Sequence, residues 1–207
     1  MIHKDSLSKE WINGIAKKYS SDPILVEKVI RALYLLEQLQ KSDIDFIFKG
    51  GTALMLLLSE PKRFSIDIDI IISEKIDKIE DVFSNLTHES EFIHFKVDKR
   101  KGKSKIEKAH YKFYYKPVTN SRSEEEYILL DILYEKSHYG EQIEEIGISS
   151  SFVKSMDKNV FVKVPLSEAI LGDKLTAFAP NTTGIPYGRK RRSKLLSNYL
   201  MLVIYLI

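Results

Sequence analysis

Apolar and polar positions recur along most of the chain with one of two periods. Leu7, Trp11, Ile12 and Ile15 share one side of a helix that Ser6 or Ser8 can cap and that runs through Lys17. After Ser21-Asp22-Pro23, a new helix-start signal, Leu25, Val29, Leu33, Leu36 and Leu39 return at helical spacing. This predicts a second helix over 24–39 that packs across a sheet as scaffolding. Phe46-Ile47-Phe48 is a short apolar run that ends at Gly50-Gly51, and Thr52 opens a helix of good formers over 53–58. From Phe64 the period changes to two. Phe64, Ile66, Ile68 and Ile70 alternate with Ser65, Asp67 and Asp69, as on a strand. Further along, the pattern predicts a helix over 76–86, a strand over 92–97 and its hairpin partner over 108–116. A strand over 127–134 follows, then one over 160–164 closed by Pro165, then a helix over 168–178 capped by Ser167. The stretch 137–158 is mixed and has no clear period.

The strand–turn–helix–strand unit over 46–72 carries the chemistry. Alternation puts Asp67 and Asp69 on one face, and two carboxylates that close repel unless a cation or a proton lies between them. A divalent metal is the natural reason for such a pair. The start of a helix behind Gly50-Gly51 offers bare backbone N–H groups to an anion such as phosphate. Each piece has a plainer reading: a tight turn for the glycines, and the wet side of an antiparallel sheet for the aspartates. Together and in this order they point to metal-assisted chemistry on a nucleoside triphosphate.

With 207 residues, 43% of them hydrophobic, the chain can bury a real core as one generous domain or two small lobes. Cysteine is absent, so no disulfide framework or thiolate zinc site is available. The first ten residues lack the apolar core of a signal peptide, and a cytoplasmic location is expected. A net charge of +3 is compatible with a nucleic-acid partner without requiring one. The local distribution says more. Lys99, Arg100, Lys101, Lys103 and Lys105 form a cationic hairpin tip, and Tyr111, Phe113, Tyr114 and Tyr115 follow it. Cations beside aromatics suit RNA, whose phosphates they neutralise and whose exposed bases they stack; a solvated hairpin over core aromatics is the alternative. Asp131 stands inside the apolar run 127–134 and is costly to bury unless something pairs with it, a hydrogen bond to backbone being the plainer reading. His110 and His138 are single histidines without ligand spacing.

Gly50-Gly51-Thr52-Ala53-Leu54 followed by Arg63-Phe64-Ser65-Ile66-Asp67-Ile68-Asp69 resembles the first motif of the AbiEii/AbiGii-type toxins, a branch of the DNA polymerase beta-like nucleotidyltransferases. Gly172-Asp173-Lys174-Leu175-Thr176-Ala177 resembles a second block of that family. The resemblance implies an α/β fold, a small mixed sheet flanked by helices. A nucleotidyltransferase core with N-terminal helices would span 1–135, and a mainly helical C-terminal lobe 136–207. It implies that Asp67 and Asp69 bind two Mg²⁺ ions, with Mn²⁺ an alternative, and that Asp131 is the third carboxylate, which helps activate the acceptor. Gly50, Gly51, Thr52, Arg63 and Ser65 would bind the nucleotide, and Lys174 would neutralise triphosphate charge. It further implies transfer of a nucleoside monophosphate from an NTP to an acceptor hydroxyl, RNA or a tRNA end in some members, by the toxin of a toxin–antitoxin pair with a cognate antitoxin. A non-catalytic nucleotide or RNA binder and a nucleotidyltransferase acting on a protein or a small molecule are the rival readings.

The resemblance covers about 46–188. Beyond it the family has a helix with a Lys-Asp-like motif and a further Asp, whereas here 195–207 contains no acidic residue. This run is shorter than the roughly 20 residues that span a bilayer. A divergent packing helix and a truncated or frame-shifted end both fit it. Apolar on all sides, it is expected to be either disordered or buried in a partner, a second copy or the antitoxin, and the purified chain to self-associate.

Overall fold

The computed structural model describes residues 1–58, 64–99, 107–156 and 158–176. Among them, a 3-10 turn at Lys4–Leu7 leads into α1 (Lys9–Lys18), where Ser8 Oγ accepts from the Trp11 N–H at 3.3 Å. Asp22 caps α2 (Pro23–Lys41) through the Ile24 N–H at 2.8 Å, and Pro23 stands where its missing donor is harmless. Then follow β1 (Ile47–Lys49), α3 (Gly50–Leu57), β2 (Ile68–Ile72), α4 (Ile79–Glu89), β3 (His94–Val97), β4 (Glu107–Tyr115), β5 (Glu126–Tyr134), β6 (Ile143–Gly147), β7 (Phe161–Pro165) and α5 (Ser167–Thr176). The expectations on Arg63, Arg100, Lys101, Lys103 and the tail 195–207 concern positions outside the described residues.

The seven strands form one mixed sheet in the order β3-β4-β5-β2-β1-β7-β6. β2 is antiparallel to β1 and parallel to β5, and β7 runs parallel to β1. The 135/136 division falls just after β5. Past it the chain returns to the same sheet, β7 pairing with β1, β6 with β7, and Ser155 bridging to Ile2.

One face of the sheet is packed. Ile128, Leu130 and Ile132 of β5, Ile68, Ile70 and Ile72 of β2 and Phe48 of β1 are buried beside the apolar side of α2 and Phe83 and Leu86 of α4. Tyr111, Phe113 and Tyr115 of β4 point the same way. Phe83 meets the rings of Tyr111 and Phe113 edge-on at 4.9 and 5.2 Å, and Arg31 lies over Tyr115. Three of the four aromatics expected to face RNA therefore belong to the core, because an alternating strand sends every second side chain inward. Only Tyr114 is left on the opposite, half-open face. Glu27 of α2 is also buried, where it accepts from the Val118 and Thr119 N–H groups at 2.8 and 2.9 Å and fixes the turn before β5.

Candidate active site

Strand register gathers the polar residues of the half-open face into one row. Lys49 of β1 pairs with Asp69 of β2, Asp69 with Asp131 of β5, and Asp131 with His110 of β4. Directly opposed residues share a face with Cβ atoms about 5 Å apart, so a cation, two carboxylates and an imidazole cross four adjacent strands side by side. His110 Nδ1 and Asp131 Oδ1 are 2.7 Å apart. Asp67 lies just before β2, exposed, with Ser65 half-buried two residues earlier. The alternation over 64–71 had predicted a longer strand; ladder pairing begins only at Ile68.

The glycines meet this row at its centre. Gly50 has φ of +83°, and a Cβ built on it would stand 2.2 Å from Asp69 Oδ2. Any larger residue would suffer both the backbone strain and the clash. The chain therefore turns into α3 directly against the Asp69 carboxylate. No side chain caps the start of α3, which leaves its first N–H groups to an outside acceptor. Thr52, expected to bind nucleotide, is fully buried, and its hydroxyl donates to the Asp67 carbonyl at 2.6 Å. Its side chain holds the aspartate strand in place, a task that sequence spacing does not reveal.

Burial first, then the Asp131 charge and, more weakly, that of Asp67 push the Asp69 carboxyl up to about 6, while Lys174 and Lys49 oppose the rise. Asp173, which shares Lys49 with Asp69, behaves in the opposite way. Although burial alone would raise it, hydrogen bonds hold it below the usual carboxylate range. Tyr139 donates to Asp173 Oδ2 at 2.5 Å, Lys49 Nζ lies 2.9 Å from the same oxygen, and His138 Nε2 is 3.2 Å from Oδ1. This network ties α5, and with it Lys174, to the end of β1. The two histidines that lack ligand spacing thus each stand beside a carboxylate, His110 across 21 residues and His138 across 35.

The sequence profile of a nucleotidyl transferase family, the AbiEii toxin of type IV toxin–antitoxin systems, matches residues 31–194. The chain belongs to the AbiEii family. No curated protein shows significant similarity to it. Among solved structures, JHP933 from Helicobacter pylori is similar with a TM-score of 0.53 and 19% identity over 94% of this chain. An antigenic nucleotidyltransferase-like protein from Paracoccidioides brasiliensis is similar with a TM-score of 0.50 and 16% identity, over 86% of this chain and 76% of that one. At such identities the likeness is one of fold. The chain spans 66% of the length of the Helicobacter chain.

For a member of this family the donor set can be tested against a divalent cation. Asp67, Asp69 and Asp131 offer hard oxygen donors, the type that Mg²⁺ and Mn²⁺ take. Burial first and the Asp131 charge second raise Asp69, and a cation bound there would oppose both. Among the described residues no three carboxylate or imidazole groups enclose a cation by themselves. Mg²⁺ characteristically uses one or two carboxylates and completes its shell with water and substrate phosphates. The residues fit the ion.

Proposed function

We propose that this protein transfers a nucleoside monophosphate from an NTP to an acceptor hydroxyl, with RNA as the acceptor, and acts as the toxin counterpart of a cognate antitoxin. The observation that carries the reading is the row Lys49–Asp69–Asp131–His110 with Gly50 pressed against its central carboxylate. Asp67 and Asp69 would hold Mg²⁺ together with the nucleotide phosphates. Bound there, the cation supplies charge neutralisation for the attacking and leaving oxygens. The backbone of Gly50 and Gly51, with Ser65 nearby, cradles the triphosphate. Lys174 on α5 offsets its charge, and Arg63 is assigned to the same task on the family resemblance alone.

In the reaction the acceptor oxygen attacks the α-phosphorus, the bond from that phosphorus to the bridging oxygen breaks, and pyrophosphate leaves. The acceptor proton passes to Asp131, whose carboxylate His110 holds in place at 2.7 Å. Lys49 supports the same centre indirectly. It neutralises part of the charge around Asp69 and, through Asp173, anchors the helix that carries Lys174.

The test is incubation of the full chain with each labelled NTP, Mg²⁺ and total RNA. Label on RNA is expected. Label on protein would move the acceptor to another class, and NTP binding without transfer to anything would make the chain a nucleotide binder.

A further inference from the structure

The row divides the half-open face into two sides. Toward β1 lie Gly50, Lys49 and α5 with Lys174, the groups suited to a triphosphate; toward β4 lie Asp131 and His110. Phosphoryl transfer sets the attacking and leaving oxygens roughly in line on opposite sides of the phosphorus. With pyrophosphate leaving toward β1 and α5, the acceptor must arrive over β5 and β4.

On that side the face carries a distinct surface. Lys112 pairs with Leu129 and Tyr114 with Tyr127 across β4 and β5, while His94 and Lys96 of β3 pair with Tyr114 and Lys112. The Tyr114 and Tyr127 rings are 5.7 Å apart, His94 stacks on Tyr114 at 4.5 Å, and Tyr127 is 41% exposed. Lys96 stands over the Tyr114 ring at 4.9 Å and Lys112 over the Tyr127 ring at 4.8 Å. Each lysine covers a ring face, as Lys28 does more loosely at 6.0 Å from the Tyr127 ring, and a base that stacks there would displace it toward the neighbouring phosphate. The tyrosine pair is four residues along its strands from His110 and Asp131, about 13 Å at the rise of a strand. Asp98 is 3.4 Å from Lys112 and Glu125 is 3.2 Å from His94; both carboxylates are partners that an incoming phosphate would exchange for itself.

We infer that the half-open face of β3–β5 is the acceptor track of the enzyme: it holds a single-stranded RNA end whose bases stack on Tyr114 and Tyr127 and whose phosphates meet Lys96 and Lys112, delivering the terminal hydroxyl to Asp131. This rests on the nucleotidyl-transfer reading above for the position of the acceptor hydroxyl. Aromatic rings and cations arranged in alternation fit a polyanion that carries flat bases better than they fit a folded protein acceptor.

The test separates binding from transfer. A labelled single-stranded RNA oligonucleotide is titrated into the full chain without NTP, and Mg²⁺–NTP binding is measured in parallel. Tyr127→Ala should weaken oligonucleotide affinity roughly tenfold or more, the loss typical of one stacked base, and leave NTP affinity unchanged. Tyr127→Phe, which keeps the ring, should restore it. The double variant Lys96→Ala/Lys112→Ala should lower the slope of log affinity against log salt by about 1.4, two single-strand phosphate contacts. Far-ultraviolet circular dichroism checks that each variant is folded. Unaltered oligonucleotide binding in folded Tyr127→Ala, or no binding of the oligonucleotide by the natural chain, would overturn the track. Platform-dependent binding without nucleotide transfer would sustain the track and sink the catalytic reading instead.

Discussion

Asp69 and Asp173 are carboxylates of neighbouring elements, each near Lys49, yet they are built to opposite ends. Asp173 receives three polar partners and is held ionised. Burial first, then the charges of Asp131 and Asp67, push Asp69 toward the neutral form, with glycine packed against it. Evolution of a stable fold alone would favour the first arrangement at both places. The cost at Asp69, only partly offset by Lys174 and Lys49, is one that a bound cation would remove; under the proposed function the first carboxylate is a tether and the second a receptor.

The contrast is broken most severely by removing the receptor. Asp67→Asn and Asp69→Asn are each expected to lower nucleotide transfer by about a thousandfold or more, the scale of losing a group that stabilises transition-state charge, without unfolding the chain. Turnover and a denaturant titration on the same samples read both. Removing the tether should act on the fold instead. Asp173→Ala leaves Lys49 and Tyr139 without their acceptor and should cost about 2 kcal/mol of stability. It should also reduce turnover through displacement of α5, and denaturant midpoints beside kcat values show the pairing.

Acid sharpens the same comparison. The folded Asp69 carboxyl titrates near 6, above its ordinary 3.8, so between those values the folded state binds more protons than the unfolded one. Metal-free stability should therefore fall as pH rises from about 4 to about 6, by on the order of 1–2 kcal/mol. Asp69→Asn should flatten that dependence and make the metal-free chain more stable at pH 7. Asp173 has the opposite sign: its contribution is present above the unfolded carboxylate value and lost on further acidification. Thermal midpoints from pH 4 to 7, with and without Mg²⁺, resolve the two. The smallest effect belongs to the hairpin tip. Neutralising Lys99, Arg100, Lys101 and Lys103 together should lower the salt slope of RNA binding by at most about 3, with NTP affinity and stability nearly unchanged. An unaltered slope would make the tip a solvated turn.

The turn at Gly50 and the strand that carries Asp69 were legible because both lie in the continuous stretch 46–72, apolar run, glycines, helix formers and then alternation; Asp67 falls just before the ladder, which the alternation did not show. The partners of these carboxylates were harder to find. Asp131 stood out as a polar residue in an apolar strand, but its contact with His110 depends on the register of β4 against β5, 21 residues apart. Asp173 and His138 meet across 35 residues, and no local pattern records such a contact. β6 was missed for a related reason: at the end of the strand order it exposes Glu144 and Glu145 in succession, so no alternation marks it. The aromatics of β4 illustrate the converse, since composition suggested a surface where alternation had already sent Tyr111, Phe113 and Tyr115 into the core.

The most direct test of the receptor is calorimetric titration of a non-hydrolysable NTP analogue into the full chain at pH 7.5, with Mg²⁺ and with chelator. Binding should require Mg²⁺ in the natural protein, lose that requirement or vanish in Asp69→Asn, and remain unchanged in Tyr127→Ala. Equal affinity with and without the cation, or an Asp69→Asn variant that binds with the natural cation dependence, would contradict the assignment of Asp69 as the centre of the site.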